Sequence, residues 1–160
     1  VKTGFDIDKR VVKIGIEGRD KTEVLTNMAR MLVEAGYVKE SYIDGILKRE
    51  KIFPTGIPLD GYGIAIPHTD IEHVNSPMVA VATLINPIEF NCMGGGDEDK
   101  VAVKIIFMLA MKDGNEQLPM LQSLMHIIQD NKLINDICES TDNELLASLL
   151  TAELGKQVNV

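Results

Sequence analysis

Tryptophan is absent from the 160-residue chain, and cysteine occurs only at Cys92 and Cys138. The two are far apart and form no CxxC pair. A disulfide framework is therefore not expected, and two free, buried thiols in a reducing compartment are. No apolar run approaches the ~20 residues that cross a bilayer. The longest are residues 78–85 and 105–111. No basic-then-apolar leader opens the chain, so a soluble cytoplasmic protein without direct membrane insertion is expected. Basic charge is scarce as well. Sixteen Lys and Arg face 24 Asp and Glu, a net charge of -8. No basic cluster exceeds two adjacent residues, so the positive footprint of a nucleic-acid binder is missing. Repeats, low-complexity tracts and inter-domain linkers are also lacking.

What is present is an ordinary globular composition, 45% hydrophobic and 25% charged. One domain spanning 1–160 is expected, with a core over about 8–153. Residues 11–16 read as a short strand. Asp20 and Glu23 fit a helix start, and Val24, Met28, Met31, Leu32 and Ala35 recur at helical spacing up to Gly36. A second helix is expected over about 40–51, stopped by Phe53-Pro54-Thr55-Gly56. Strands are expected at 62–67, 78–84 and 101–111. From about Gln117 the pattern is helical, with a stripe of Leu118, Leu121, Met125 and Ile128 and with Pro119 near the helix start. Two further helices follow over 132–138 and 142–154, and the tail after Gly155 reads as frayed. Helices alternating with buried strands imply an α/β layered sandwich, a central mixed sheet of about five strands flanked by helices.

Three histidines offer nucleophilic chemistry: His68, His73 and His126. A neutral imidazole presents one free nitrogen when the other is held by a hydrogen bond. His68 follows Gly63-Ile64-Ala65-Ile66-Pro67, which puts it at the end of a buried strand, where a rigid scaffold presents an accessible group. A purely structural or surface role is the competing reading from the residues alone. His126 lies off the apolar stripe and reads as solvated, and His73 as a surface residue or a support for the site.

The segment GIAIPH, preceded by FPTGI, resembles the active-site signature of the fructose/mannitol-type IIA family of bacterial sugar phosphotransferase systems (PTS). The resemblance covers about residues 8–153. FPTGI and the second histidine five residues after the first are similar to the galactitol-type branch. What this implies is a phosphotransferase carrier. His68 would take a phosphoryl group from the carrier protein HPr and pass it to a IIB component, which serves the membrane IIC component during polyol uptake. Arg49 matches the arginine that family members hold near the phosphoryl group. The resemblance implies no cofactor and no metal.

On the bare residues Arg49 reads as an exposed helix-end cation. Many family members carry a second histidine where this sequence has Gln117, which can donate a hydrogen bond but carries no charge. Thr55 would either contact the site or serve its turn. An exposed apolar rim including Ile57 and Tyr62 would let two partners dock over His68. His68, Asp70, Glu72 and His73 match no common metal spacing. Gly94-Gly95-Gly96, followed by three acids, reads as an exposed loop and not a phosphate cradle. A regulatory phosphocarrier of the nitrogen-related or transcription-regulator type is the alternative function. A binding module with a structural His68 is a third.

Overall fold

The two most apolar stretches of the chain pair with each other. In the computed structural model, which describes residues 6–155, β4 (Met78–Asn91) runs antiparallel to β5 (Lys100–Ala110) as a long hairpin. The three-glycine segment is its exposed connection. β1 (Val12–Ile16) lies parallel to β4, and β3 (Gly63–Ala65) parallel to β5. β2 (Gly56–Ile57) closes the far edge antiparallel to β3. The described residues thus form one mixed five-stranded sheet in the order β1-β4-β5-β3-β2. The expected fold class is the one observed.

Both faces of the sheet are covered, which explains why its central strands are apolar without alternation. One face packs on α1 (Lys21–Glu34) and α2 (Ser41–Ile52) through Val24, Leu25, Met28, Leu32, Tyr42 and Ile46. The other packs on α3 (Gly114–Gln129), α4 (Asn131–Glu139) and α5 (Asn143–Leu154). Asp20, Asp130 and Asp142 cap α1, α4 and α5 by accepting hydrogen bonds from backbone N–H groups of the first turn.

Four sequence expectations need correction. β4 continues to Asn91, well past the expected end. α3 begins at Gly114, so Pro119 lies inside the helix. Its buried apolar side chains are Met120, Leu124, Ile127 and Ile128, while Leu118 is half-exposed. Two overlapping sets of apolar residues have helical spacing here, and only contact with the sheet selects one of them. Cys92 and Cys138 are free but half-buried. The frayed tail after Gly155 lies outside the described residues.

A bulge in β5 sets the strand ends. Val103 and Ile105 pair with consecutive residues of β3, and Lys104 is skipped by both neighbouring strands. Such an extra residue exchanges the faces of the strand beyond it. Val103 accordingly belongs to the α1/α2 core, whereas Ile105, Phe107 and Leu109 belong to the other.

Candidate functional site

The site forms where β3 leaves the sheet. The Pro67 carbonyl accepts a 2.9 Å hydrogen bond from Leu109 N–H, so the chain still tracks β5 as far as His68. Leu109 also receives the buried Tyr42 hydroxyl on its carbonyl at 2.7 Å. Burial pushes the Tyr42 phenol well above its ordinary range, so it remains a neutral donor. That bond ties α2 to the strand end carrying the histidine.

The His68 ring is half-buried. Its Nδ1 lies 2.9 Å from the Ile66 carbonyl oxygen. A carbonyl only accepts, so Nδ1 carries the proton in this bond and Nε2 is the nitrogen with the free lone pair. An open cleft of about 550 Å³ adjoins the ring. Arg49, Thr69, Asp70 and Glu72 line it, with Ile71 and Met111 as its apolar part.

α2 supplies one edge of this cleft by its periodicity. Ser41, Gly45 and Arg49 are spaced by four and share a face. Tyr42, Ile43 and Ile46 turn into the core. The segment 69–73 lies along the polar face. Ser41 Oγ is 2.8 Å from His73 Nδ1. Gly45 meets the segment where a Cβ would stand 3.1 Å from both Thr69 Oγ1 and His73 Nε2. Arg49 Nη1 donates to Asp70 Oδ1 at 3.3 Å, and its Cζ sits 5.0 Å from the Phe53 ring centroid. Arg49 Nε is buried with no hydrogen-bond partner among the described residues.

The structure therefore brings His68 and Arg49 to one cleft. It places the other sequence candidates around that cleft and not in its lining. Thr55 is buried and donates its N–H and hydroxyl to the Glu50 carboxylate at 2.9 and 3.0 Å. This anchors the turn after α2. Burial pushes the Glu50 carboxyl up, and the Thr55 donors and Lys21 partly oppose that. The buried Gln117 accepts from the backbone N–H groups of Lys112 and Asp113, holding the turn between β5 and α3. His73 is half-buried, with 20% of its side chain exposed. It packs against α2, with Nε2 3.6 Å from Glu72 Oε1. His126 is exposed as expected.

The apolar rim also differs from expectation. Ile57 packs into the second core and Tyr62 lies under the Lys104 ammonium. The apolar groups at the cleft are Ile71 and Met111, with exposed Phe53 beside Arg49. Sequence reasoning missed Asp70 as the partner of Arg49. A four-residue helical spacing facing a carboxylate 21 residues away leaves no local signal.

Chemically, the cleft offers an oriented imidazole Nε2 and a fixed guanidinium. Arg49 is the only Lys or Arg among the described lining residues. This pairing suits attack on an electrophile that develops negative charge on several oxygens.

A profile of the phosphoenolpyruvate-dependent sugar phosphotransferase system EIIA 2 family matches residues 7–153. The galactitol-specific EIIA component of Escherichia coli (strain K12) is 28% identical over 134 residues, covering 84% of this chain and 88% of that protein. The crystal structure of IIA mannitol from Escherichia coli superposes with a TM-score of 0.73 at 26% identity, covering 91% of this chain and 99% of that one. An NMR structure of the complex of enzyme IIA and phosphorylated enzyme IIB for mannitol, also from Escherichia coli, gives a TM-score of 0.75. At 24% identity, covering 92% of this chain and 99% of that one, it shares the fold.

Proposed function

The chain belongs to the EIIA 2 family of the phosphoenolpyruvate-dependent sugar phosphotransferase system, and from that membership we propose that His68 Nε2 carries the phosphoryl group. The reaction is a relay in the cytoplasm. The Nε2 lone pair attacks phosphorus on the phosphohistidine of HPr. A new P–N bond forms as the donor's P–N bond breaks, and the donor ring departs with that electron pair. The His68 ring keeps its Nδ1 proton and gains positive charge, which the Ile66 carbonyl stabilises. Arg49 steadies the phosphoryl oxygens in transit. In the onward step a cysteine thiolate of a IIB component attacks phosphorus, a P–S bond forms as the P–N bond to His68 breaks, and Nε2 recovers its lone pair.

The observation that carries this reading is the 2.9 Å contact between His68 Nδ1 and the Ile66 carbonyl, which supports Nε2 as the nucleophile in a cleft that Arg49 also lines. The likeness to a galactitol-specific component supports a galactitol-like polyol as the transported substrate. Thr55, Gln117 and His73 act on this reading as supports of the backbone around the site.

Incubation with labelled phosphoenolpyruvate, enzyme I and HPr tests it. Wild type acquires an acid-labile, base-stable phosphate and His68→Ala acquires none. Undiminished labelling of the variant refutes the assignment. The polyol is tested by adding IIB and IIC of a galactitol or a mannitol system and measuring which sugar is phosphorylated. Equal activity with both removes the substrate assignment.

A further inference from the structure

We propose that Asp70 is the counter-ion that Arg49 exchanges for the phosphoryl group, making it a positioning residue that keeps phospho-His68 easy to discharge. This rests on His68 being the phosphoryl-bearing residue.

The body of Arg49 is held in place. Its stem belongs to α2, Phe53 lies against the guanidinium, and Nε is buried. Its Nη1 is engaged at the cleft by Asp70, its one hydrogen-bond partner among the described residues. At 3.3 Å that contact is longer than the 2.7–2.9 Å of a tight charge-assisted bond. The Asp70 side chain is 65% exposed, so it can swing into water at little cost. Asp70 stands two residues from His68 on the segment lining the same cleft. An anion on His68 Nε2 therefore competes with this carboxylate for the guanidinium. The neighbouring Glu72 adds further negative charge.

A carrier gains nothing by holding its cargo tightly, because stabilising the phosphorylated state lowers its tendency to donate. Asp70 offsets part of the Arg49 charge and repels the phosphoryl dianion. It thereby raises the group-transfer potential of His68 without touching the reacting bond. A plain surface ion pair would have no such effect on the phosphoryl equilibrium.

The test is the equilibrium constant for phosphoryl exchange with phospho-HPr. It is measured from the labelled fraction of each protein for wild type, Asp70→Asn, Asp70→Glu, Arg49→Gln and the Arg49→Gln/Asp70→Asn double variant. Asp70→Asn is expected to shift the constant about three- to ten-fold toward phospho-His68, the range of a weak ion pair plus a like-charge repulsion. Asp70→Glu stays within about twofold of wild type. The Asp70→Asn effect shrinks in the Arg49→Gln background, which shows coupling between the two. Impaired folding cannot mimic this, since it lowers the constant. An unchanged or lowered constant in Asp70→Asn, or an equal shift without Arg49, overturns the inference. His68→Ala is included as a control. If it labels like wild type, the carrier reading itself fails. If it is blank while Asp70→Asn behaves as wild type, only the role of Asp70 fails.

Discussion

His68 and His73 stand five residues apart in one segment, and the fold treats them in opposite ways. Each has Nδ1 within hydrogen-bond distance of an oxygen, the Ile66 carbonyl for His68 and the Ser41 hydroxyl for His73. The difference lies at the other nitrogen. His68 lines an open cleft shared with Arg49, and only its Nδ1 is engaged in a hydrogen bond among the described residues. The His73 Nε2 meets Gly45 of α2 and the Glu72 carboxylate. A strand end presents the first ring, and a helix face covers the second. Reactivity here follows from what faces the second nitrogen, and residue type alone does not determine it.

Exchanging the two residues' fates is the sharpest way to break this contrast. His68→Ala is expected to lower phosphoryl acceptance by more than about 10³-fold, to the limit of detection, because it removes the only imidazole among the described residues lining the cleft. His73→Ala is expected to keep acceptance within about threefold and to lose about 1 kcal/mol of stability with its hydrogen bond. Labelling rates and urea unfolding of both variants check the pair.

The next effect removes the cation and leaves both rings in place. Arg49→Gln is expected to slow transfer by about 10²-fold, the scale of losing one preorganised charge-stabilising donor. Arg49→Lys recovers only part of this, because an ammonium lacks the fixed fork of donors. Single-turnover rates with phospho-HPr measure both.

A smaller effect tests whether the helix face around His73 also sets the cleft. A side chain at Gly45 must displace Thr69 and His73. Gly45→Leu is therefore expected to push the segment off α2 and slow transfer about tenfold, since small misplacements near reacting groups are costly. Gly45→Ala needs a shift of only a few tenths of an ångström and should fall between wild type and Gly45→Leu in the same assay.

The smallest effect lies behind the cleft, at Glu50. Its carboxyl is pushed up by burial. The folded chain then binds this proton more readily than the unfolded chain. Its contribution favours folding at low pH and is lost as pH rises from the ordinary carboxylate range through the raised folded value. Glu50→Gln can still accept from Thr55 N–H and should flatten that decline. Unfolding midpoints across this pH window, with transfer rates left near wild type, separate the scaffold from the site.

Much of this arrangement was legible before any coordinates. The apolar runs at 78–85 and 105–111 mark the central hairpin, and Asp20 marks the start of α1 because an N-cap works through local geometry. GIAIPH places a histidine at a strand end because Pro67 and the preceding apolar residues act locally too. The segment after His68 was harder to read. His-Thr-Asp-Ile-Glu-His has no periodicity and looks like a polar surface loop, yet it packs a half-buried His73 on α2 and pairs Asp70 with Arg49. Gln117 reads from the sequence as a possible supporting residue, and its carbonyl holds the turn between β5 and α3. The Ile57 and Tyr62 rim failed for a related reason. Exposure and apolar character can be guessed along the chain, but the side of the molecule a residue faces cannot.

Local chemistry written along the chain settled which segments become strands and helices, and which imidazole ends a buried strand. The packing of α2 across the sheet, tied through Tyr42 to Leu109, decided that residue 49 meets residue 70 and that residue 45 covers residue 73. Those neighbours arise because two elements distant in sequence bury a common apolar face. A separation of 20 or more residues carries no periodic trace of that contact.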